Sequence, residues 1–402
     1  MSTERELRSA LQRIQAPDEL DGQRRAWPIV HAAFRERESV QPAGRSLRPL
    51  LVAAAGVAIL AAALTPPGRA LVGSVRDAFD EETVKPRPAL TSLPANGPLL
   101  VNARRGPWIV RFDGSKRFLG NYEAGSWSPN ARYVVVTRGH QLTALDWSGK
   151  PEPRWSIARN RAVHGARWSP EVNPGDTRVA YLNGRELRIV GGDGKGDRPL
   201  RKLVAATAPA WRPRAGFELS FATVDNRIEL IDTESAKTVW RTIPGEPPTQ
   251  LLWSEDGERL LVLSENSLRV LDSKGRRLLA LRLPIGPSGV AFTREGHNFV
   301  MIRYSPATGR SDLVLLQAEA NPGEPRFLYS APGDFGTLAV SPNGNWLLVG
   351  WVNADQWLFL RLRPAKVIAV SGIVEQFGGE TRTGPLSEAF PASVSWCCPA
   401  SP

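Results

Sequence analysis

The chain has 402 residues, 42% of them apolar, and a formal net charge of +11, which suits a folded chain with a large core rather than a disordered one. Its two cysteines, Cys397 and Cys398, are adjacent. That excludes a disulfide framework and a zinc site built from spaced cysteines, and leaves the pair either bonded to each other or free.

The abundance of proline, glycine and tryptophan, with 34 Pro, 36 Gly and 13 Trp, points to short strands, frequent turns and a recurring aromatic packing position. The positive charge fits an anionic partner or simply an arginine-rich composition. Arg104-Arg105 and Arg276-Arg277 are pairs rather than stripes, which favours composition.

Residues 1–48 are too few for an enzyme. Thr3 and Glu6 make a capping-box pattern, with Leu7, Leu11 and Ile14 on one helical face behind it. Trp27, Val30, Ala33 and Phe34 mark a second short helix. Such a segment docks on a partner, and an anti-sigma-like grip on a cytoplasmic regulator is one version. The zinc-dependent form of that grip is excluded, because His31 stands without paired cysteines.

From Pro49 to Gly68 twenty residues carry no charge, which predicts one transmembrane helix over 49–68. A signal peptide is poorly placed this far into the chain, and a buried helix would carry a polar face. Arg35, Arg37, Arg45 and Arg48 precede the run, so the N-terminus is expected in the cytoplasm and the bulk of the chain outside the cell membrane. Residues 69–97 read as a juxtamembrane helix around Leu71, Val75 and Phe79, then a stiff linker with Pro86, Pro88 and Pro94.

Beyond residue 98 a repeat organises the chain. Six segments open alike, with Trp127-Ser128-Pro129, Trp168-Ser169-Pro170, Trp211-Arg212-Pro213, Trp253-Ser254-Glu255, Phe292-Thr293-Arg294 and Val340-Ser341-Pro342. A polar turn follows each opening, then an apolar strand such as Leu260-Leu261-Val262-Leu263, then an alternating strand ending in aspartate, such as Ile228 to Asp232. A fourth strand completes the unit. Four short strands in about 40 residues is the period of a propeller blade. The aromatic positions are then packing between blades, and the aspartates are turn-formers that accept backbone N–H groups.

These openings resemble the W-S-P-D-G pattern of TolB-type propeller repeats, over roughly residues 98–399. The layout is also similar to membrane-anchored, WD-like repeat proteins of high-GC Gram-positive bacteria. The resemblance implies a β-propeller and a role in protein association. No blade keeps all five residues, since Asn130 replaces the Asp and Phe292 and Val340 replace the Trp.

The chain enters in mid-blade, with Leu99 to Val101, Trp108 to Asp113 and Arg117 to Leu119 matching the second, third and fourth strands. Val394 to Pro399 reads as an opening strand with no blade after it. Together they predict an all-β, seven-bladed propeller (98–399) closed by strands from both termini, with six blades and a loose tail as the alternative. Residues 378–391 read as a surface loop.

No catalytic, cofactor-binding or metal-binding residue is assigned. His31, His140, His164 and His297 share no ligand spacing. The loop Gly191-Gly192-Asp193-Gly194-Lys195-Gly196-Asp197 is similar to a calcium-binding repeat, but it occurs once and falls where a hairpin turn belongs.

The expected function is therefore a non-enzymatic, membrane-anchored binding module for a protein or an anionic envelope polymer outside the cell. A transmembrane regulator with the propeller as sensor is the alternative, and a propeller hydrolase or lyase the third reading. Nucleic acid is not expected as a partner for an extracytoplasmic domain.

Overall fold

A four-stranded sheet with two apolar faces is stable only when both are covered, and the repeat meets that requirement by stacking sheet against sheet around an axis. The computed structural model describes residues 90–173, 175–378 and 386–398. The expected helices of 1–48, the transmembrane helix at 49–68 and the linker up to residue 89 lie outside the described residues. Among the described residues no helix is long and apolar enough to cross a membrane.

Seven four-stranded antiparallel sheets form the ring. Six are the repeats in chain order, here blades one to six. Blade one holds β4 (Ala124–Trp127), β5 (Tyr133–Arg138), β6 (Gln141–Asp146) and β7 (Glu152–Ala158); blade two holds β8 (Val163–Trp168), β9 (Arg178–Asn183), β10 (Glu186–Gly191) and β11 (Arg198–Lys202). The opening strands of blades three to six are β12 (Ala210–Trp211), β16 (Pro248–Trp253), β20 (Val290–Phe292) and β24 (Phe335–Val340).

Opening strands of successive blades touch one another, as β4 touches β8 and β12 touches β16, so they form the inner edge of the ring. Second strands are covered on both faces, and Val134, Val135 and Val136 of β5 are all fully buried. That coverage is why they read as continuous apolar runs instead of alternating. Fourth strands such as β7 lie at the rim and alternate between half-buried and exposed.

The seventh sheet confirms the closure and excludes the six-blade alternative. β28 (Ser393–Trp396) pairs with β1 (Leu99–Ala103), with Leu99 opposite Trp396 and Val101 opposite Val394. β2 (Gly106–Val110) and β3 (Lys116–Phe118) complete it.

The repeated aromatics fill the seams. Trp168 sits with Val135, Leu142 and Ala144 of blade one and with Val179 and Tyr181 of blade two. Trp211 joins blade two to three, Trp253 joins three to four, and Phe292 joins four to five. Burying one such ring contributes about 2–3 kcal/mol. Two of the indole N–H groups find partners in so dry a place: Trp211 Nε1 donates to the Arg167 carbonyl at 2.9 Å and Trp253 Nε1 to Ser220 Oγ at 3.0 Å, whereas the buried Trp168 Nε1 has none among the described residues.

The serine after the aromatic ties the turn. Ser254 Oγ donates to Asp256 Oδ1 at 2.5 Å and accepts from the Arg259 backbone N–H at 3.0 Å. Ser341 does the same with Asn343 and Trp346. The glycine of the motif takes a left-handed conformation, with φ +73° at Gly257 and +72° at Gly344, but blade one places Ala131 there at +56°. The strand-ending aspartates accept backbone N–H groups two residues on, as Asp146 does from Ser148 and Asp272 from Lys274. The Ser148 hydroxyl and N–H hold the Asp146 carboxyl below the usual range.

Two boundaries differ from the sequence reading. The end of the expected linker is not a free spacer, because Leu90 and Leu93 bury themselves in the seam between blade six and the closing blade. The described end of the expected surface loop 378–391 is also packed inward. Ala389 and Phe390 are buried, and the Phe390 ring lies so close over Gly350 that a Cβ there would meet it at 2.7 Å.

Candidate functional site

Hairpin turns and strand ends on one face of the ring bring together residues far apart in sequence. Between blades one and two they enclose a groove of about 750 Å³. Blade one supplies Arg159 and Arg161, which follow β7. Blade two supplies Arg185 from the β9–β10 turn, Glu186 and Arg188 from β10, and Lys202 from the end of β11.

Two of these five cations are held in place. Asp197 accepts from Tyr181 Oη and from Arg188 Nη2, both at 2.5 Å, and forms an ion pair with Arg159. Arg188 also reaches Glu186 at 2.8 Å, and Arg159 Nε donates to Tyr181 Oη at 2.7 Å. The hydrogen bond that Arg188 donates to Asp197 raises the Arg188 pKa, while burial and then the hydrogen bond donated to Asp197 raise that of Tyr181. Both groups therefore stay protonated at neutral pH, and the cluster is a rigid, satisfied back wall.

The other three are not. Arg161, Arg185 and Lys202 are exposed, and among the described residues none of them makes an ion pair. Five cations thus face two carboxylates, Glu186 and Asp197. Beside them Leu203 is 65% exposed and adopts a left-handed φ of +58°, a conformation that costs a branched residue about 1–2 kcal/mol.

A second cavity lies at the inner edge. It measures about 300 Å³ and is lined by Trp-Ser-Pro turns of blades one and two, by Ala210 and Leu252, and by Cys398 after the closing strand. Cys397 and Cys398 are bonded to each other. Arg167 of β8 projects into this space.

Sequence reasoning named neither place. His140, His164 and His297 lie in blades one, two and five, and His297 stands 3.8 Å from Glu319. No group of three metal-ligating side chains occurs among the described residues. The glycine-rich loop is the β10–β11 hairpin turn. There Gly191 N–H donates to the Lys195 carbonyl at 2.8 Å, and the Gly192 carbonyl accepts from Trp155 Nε1 at 2.8 Å. Asp197, the last residue of that loop, anchors the arginine cluster. The signal that could have found the groove was the count of basic residues at the ends of adjacent strands in blades one and two, rather than along the chain.

No protein-family model and no curated protein sequence matches the chain. Solved structures do. A functionally unknown protein from Desulfotomaculum acetoxidans superposes with a TM-score of 0.53 at 15% identity, covering 76% of this chain and 100% of that one. A candidate 6-phosphogluconolactonase from Bacteroides uniformis gives 0.51 at 12%, covering 75% and 99%. A chain of the mitotic checkpoint complex gives 0.53 at 14%, covering 71% and 94%. Likeness at this level of identity establishes the propeller fold and nothing finer.

Proposed function

We propose that the chain is a membrane-held propeller of TolB-like kind that binds an anionic partner outside the cell, an acidic protein or envelope polymer, without transforming it. The observation that carries this reading is the set of three cations, Arg161, Arg185 and Lys202, that line one groove and are unpaired among the described residues. Its lining offers guanidinium, ammonium and amide groups, which hold carboxylates and phosphates, and its one lining carboxylate is tied to Arg188. The exposed Leu203 at the lip adds apolar contact.

The test is binding of polyglutamate to the full chain in detergent at low and high salt. We expect affinity that weakens as salt screens the groove. The triple variant Arg161→Ser, Arg185→Ser, Lys202→Ser should bind at least tenfold more weakly with an unchanged melting temperature. Equal binding by that variant overturns the reading. The regulator version rests on the amphipathic pattern of residues 1–48, and recovery of one cytoplasmic factor on a peptide of that sequence would favour it.

A further inference from the structure

The residue before each repeated aromatic lies on the inner edge of the ring. Around the seven opening strands this column holds Ser126, Ala210, Leu252, Ala291, Ala339 and Ser395, all small or uncharged, and one cation, Arg167. The small neighbours leave room for a long side chain. Arg167 is exposed to that space, yet protein surrounds it, and desolvation by those walls lowers its pKa. A guanidinium stays charged in spite of that.

Its carbonyl is used by Trp211 Nε1, and its Nη1 donates to the Ala166 carbonyl at 2.9 Å. Among the described residues no carboxylate pairs with it. The charge faces the cavity without a counter-ion, and an anion entering the cavity would supply one.

From these observations we infer that the inner mouth of the ring is a binding site for a single carboxylate on a short apolar stem, held by Arg167. The carboxylate is chosen by charge and shape. The lining contains one cation without a carboxylate partner among the described residues, so a monoanion is neutralised, whereas a phosphate dianion would leave one negative charge against proline and indole walls. The planar fork of the guanidinium matches two carboxylate oxygens. The stem is chosen by the walls: Pro129, Pro170 and Pro213 and the indoles of Trp168, Trp211 and Trp253 line the cavity. A volume of about 300 Å³ admits one residue-sized group rather than a polymer. This site is separate from the groove between blades one and two and does not depend on it.

Calorimetric titration of the full chain with N-acetyl-L-leucine, N-acetyl-L-leucinamide and inorganic phosphate tests the inference. The acid should bind at least tenfold more tightly than the amide or phosphate. Arg167→Met should lose at least tenfold in affinity for the acid while melting no lower than wild type, because no carboxylate among the described residues pairs with Arg167. Arg167→Lys should fall between the two. The triple groove variant should bind N-acetyl-L-leucine as wild type does. A pentapeptide ending in leucine distinguishes the sources, since tighter binding than the single residue assigns a peptide C-terminus and equal binding a small free acid. Acid and amide binding alike, or undiminished binding by a folded Arg167→Met, overturns the inference.

Discussion

Blade two and the closing blade share one plan of four antiparallel strands, and they depart from the repeat in opposite ways. The closing blade takes its strands from the two ends of the described chain and seals its seam with apolar residues, Leu90, Leu93, Val394 and Phe390 among them. Blade two keeps an ordinary apolar centre, with Tyr181, Val179 and Val190 buried, and crowds its edges with arginine. The contrast separates two uses of irregularity. In the closing blade it completes a ring that would otherwise expose a sheet edge, and in blade two it stores charge that folding does not need.

The sharpest way to break the comparison is to put a charge where the ring closes. Val394 lies in β28 opposite Val101 and is buried. Val394→Asp places a carboxylate in an apolar seam, which costs about 4 kcal/mol or more. We expect the full chain to lose its cooperative thermal transition or to melt far lower, and to aggregate through the opened edge. A variant that melts like wild type would mean that the termini do not hold the ring.

A smaller effect is expected from the charge cluster of blade two. Asp197→Ala removes the acceptor shared by Arg159, Arg188 and Tyr181 and leaves two largely buried guanidinium groups without it. Breaking such a cluster costs about 2–3 kcal/mol, read as a lower midpoint in urea. The same change removes one negative charge beside the groove and leaves Arg159 without its carboxylate while Arg188 keeps Glu186, so polyglutamate should bind more tightly. A variant that loses both stability and binding would show that the cluster shapes the groove rather than merely backing it.

The two departures were not equally legible. Closure was readable because it is a matter of local pattern: Leu99-Leu100-Val101 matches a second strand, and Val394-Ser395-Trp396 an opening one, without needing distances. The seam role of Trp168, Trp211 and Trp253 followed from period alone. The groove was not readable in the same way, because Arg161, Arg185 and Lys202 come from the ends of different strands and only the ring brings them together. A search for contiguous basic runs therefore favoured composition over a patch.

Arg167 stood in plain view between Ala166 and Trp168. Setting the repeats in a column would have shown it as the one charge among small residues. Leu90 and Phe390 were hidden for a different reason: proline-rich and glycine-rich surroundings look like linker and loop whether or not single apolar residues in them find a seam.

The smallest expected effect sharpens the comparison most, because it sets strain that serves only the turn against strain beside a site. Ala131 and Leu203 both hold left-handed backbone, at φ +56° and +58°, and glycine relieves either one at some cost in unfolded-chain entropy, for a net gain of about 0.5–1 kcal/mol. Ala131→Gly restores the residue that the turn motif carries at Gly257 and Gly344, and it should raise the melting temperature by about 2 °C without changing polyglutamate binding.

Leu203→Gly should give a similar gain, since a side chain 65% exposed contributes little burial to the fold. It should also weaken polyglutamate binding about two- to threefold, as expected for one lost apolar contact. An exposed leucine in a costly conformation has no structural return of its own, so a loss of binding with a gain in stability is the signature expected of a residue kept for its partner. A gain in stability with binding unchanged would place Leu203 beside Ala131, as strain left over in a turn, and confine the site to its three free cations.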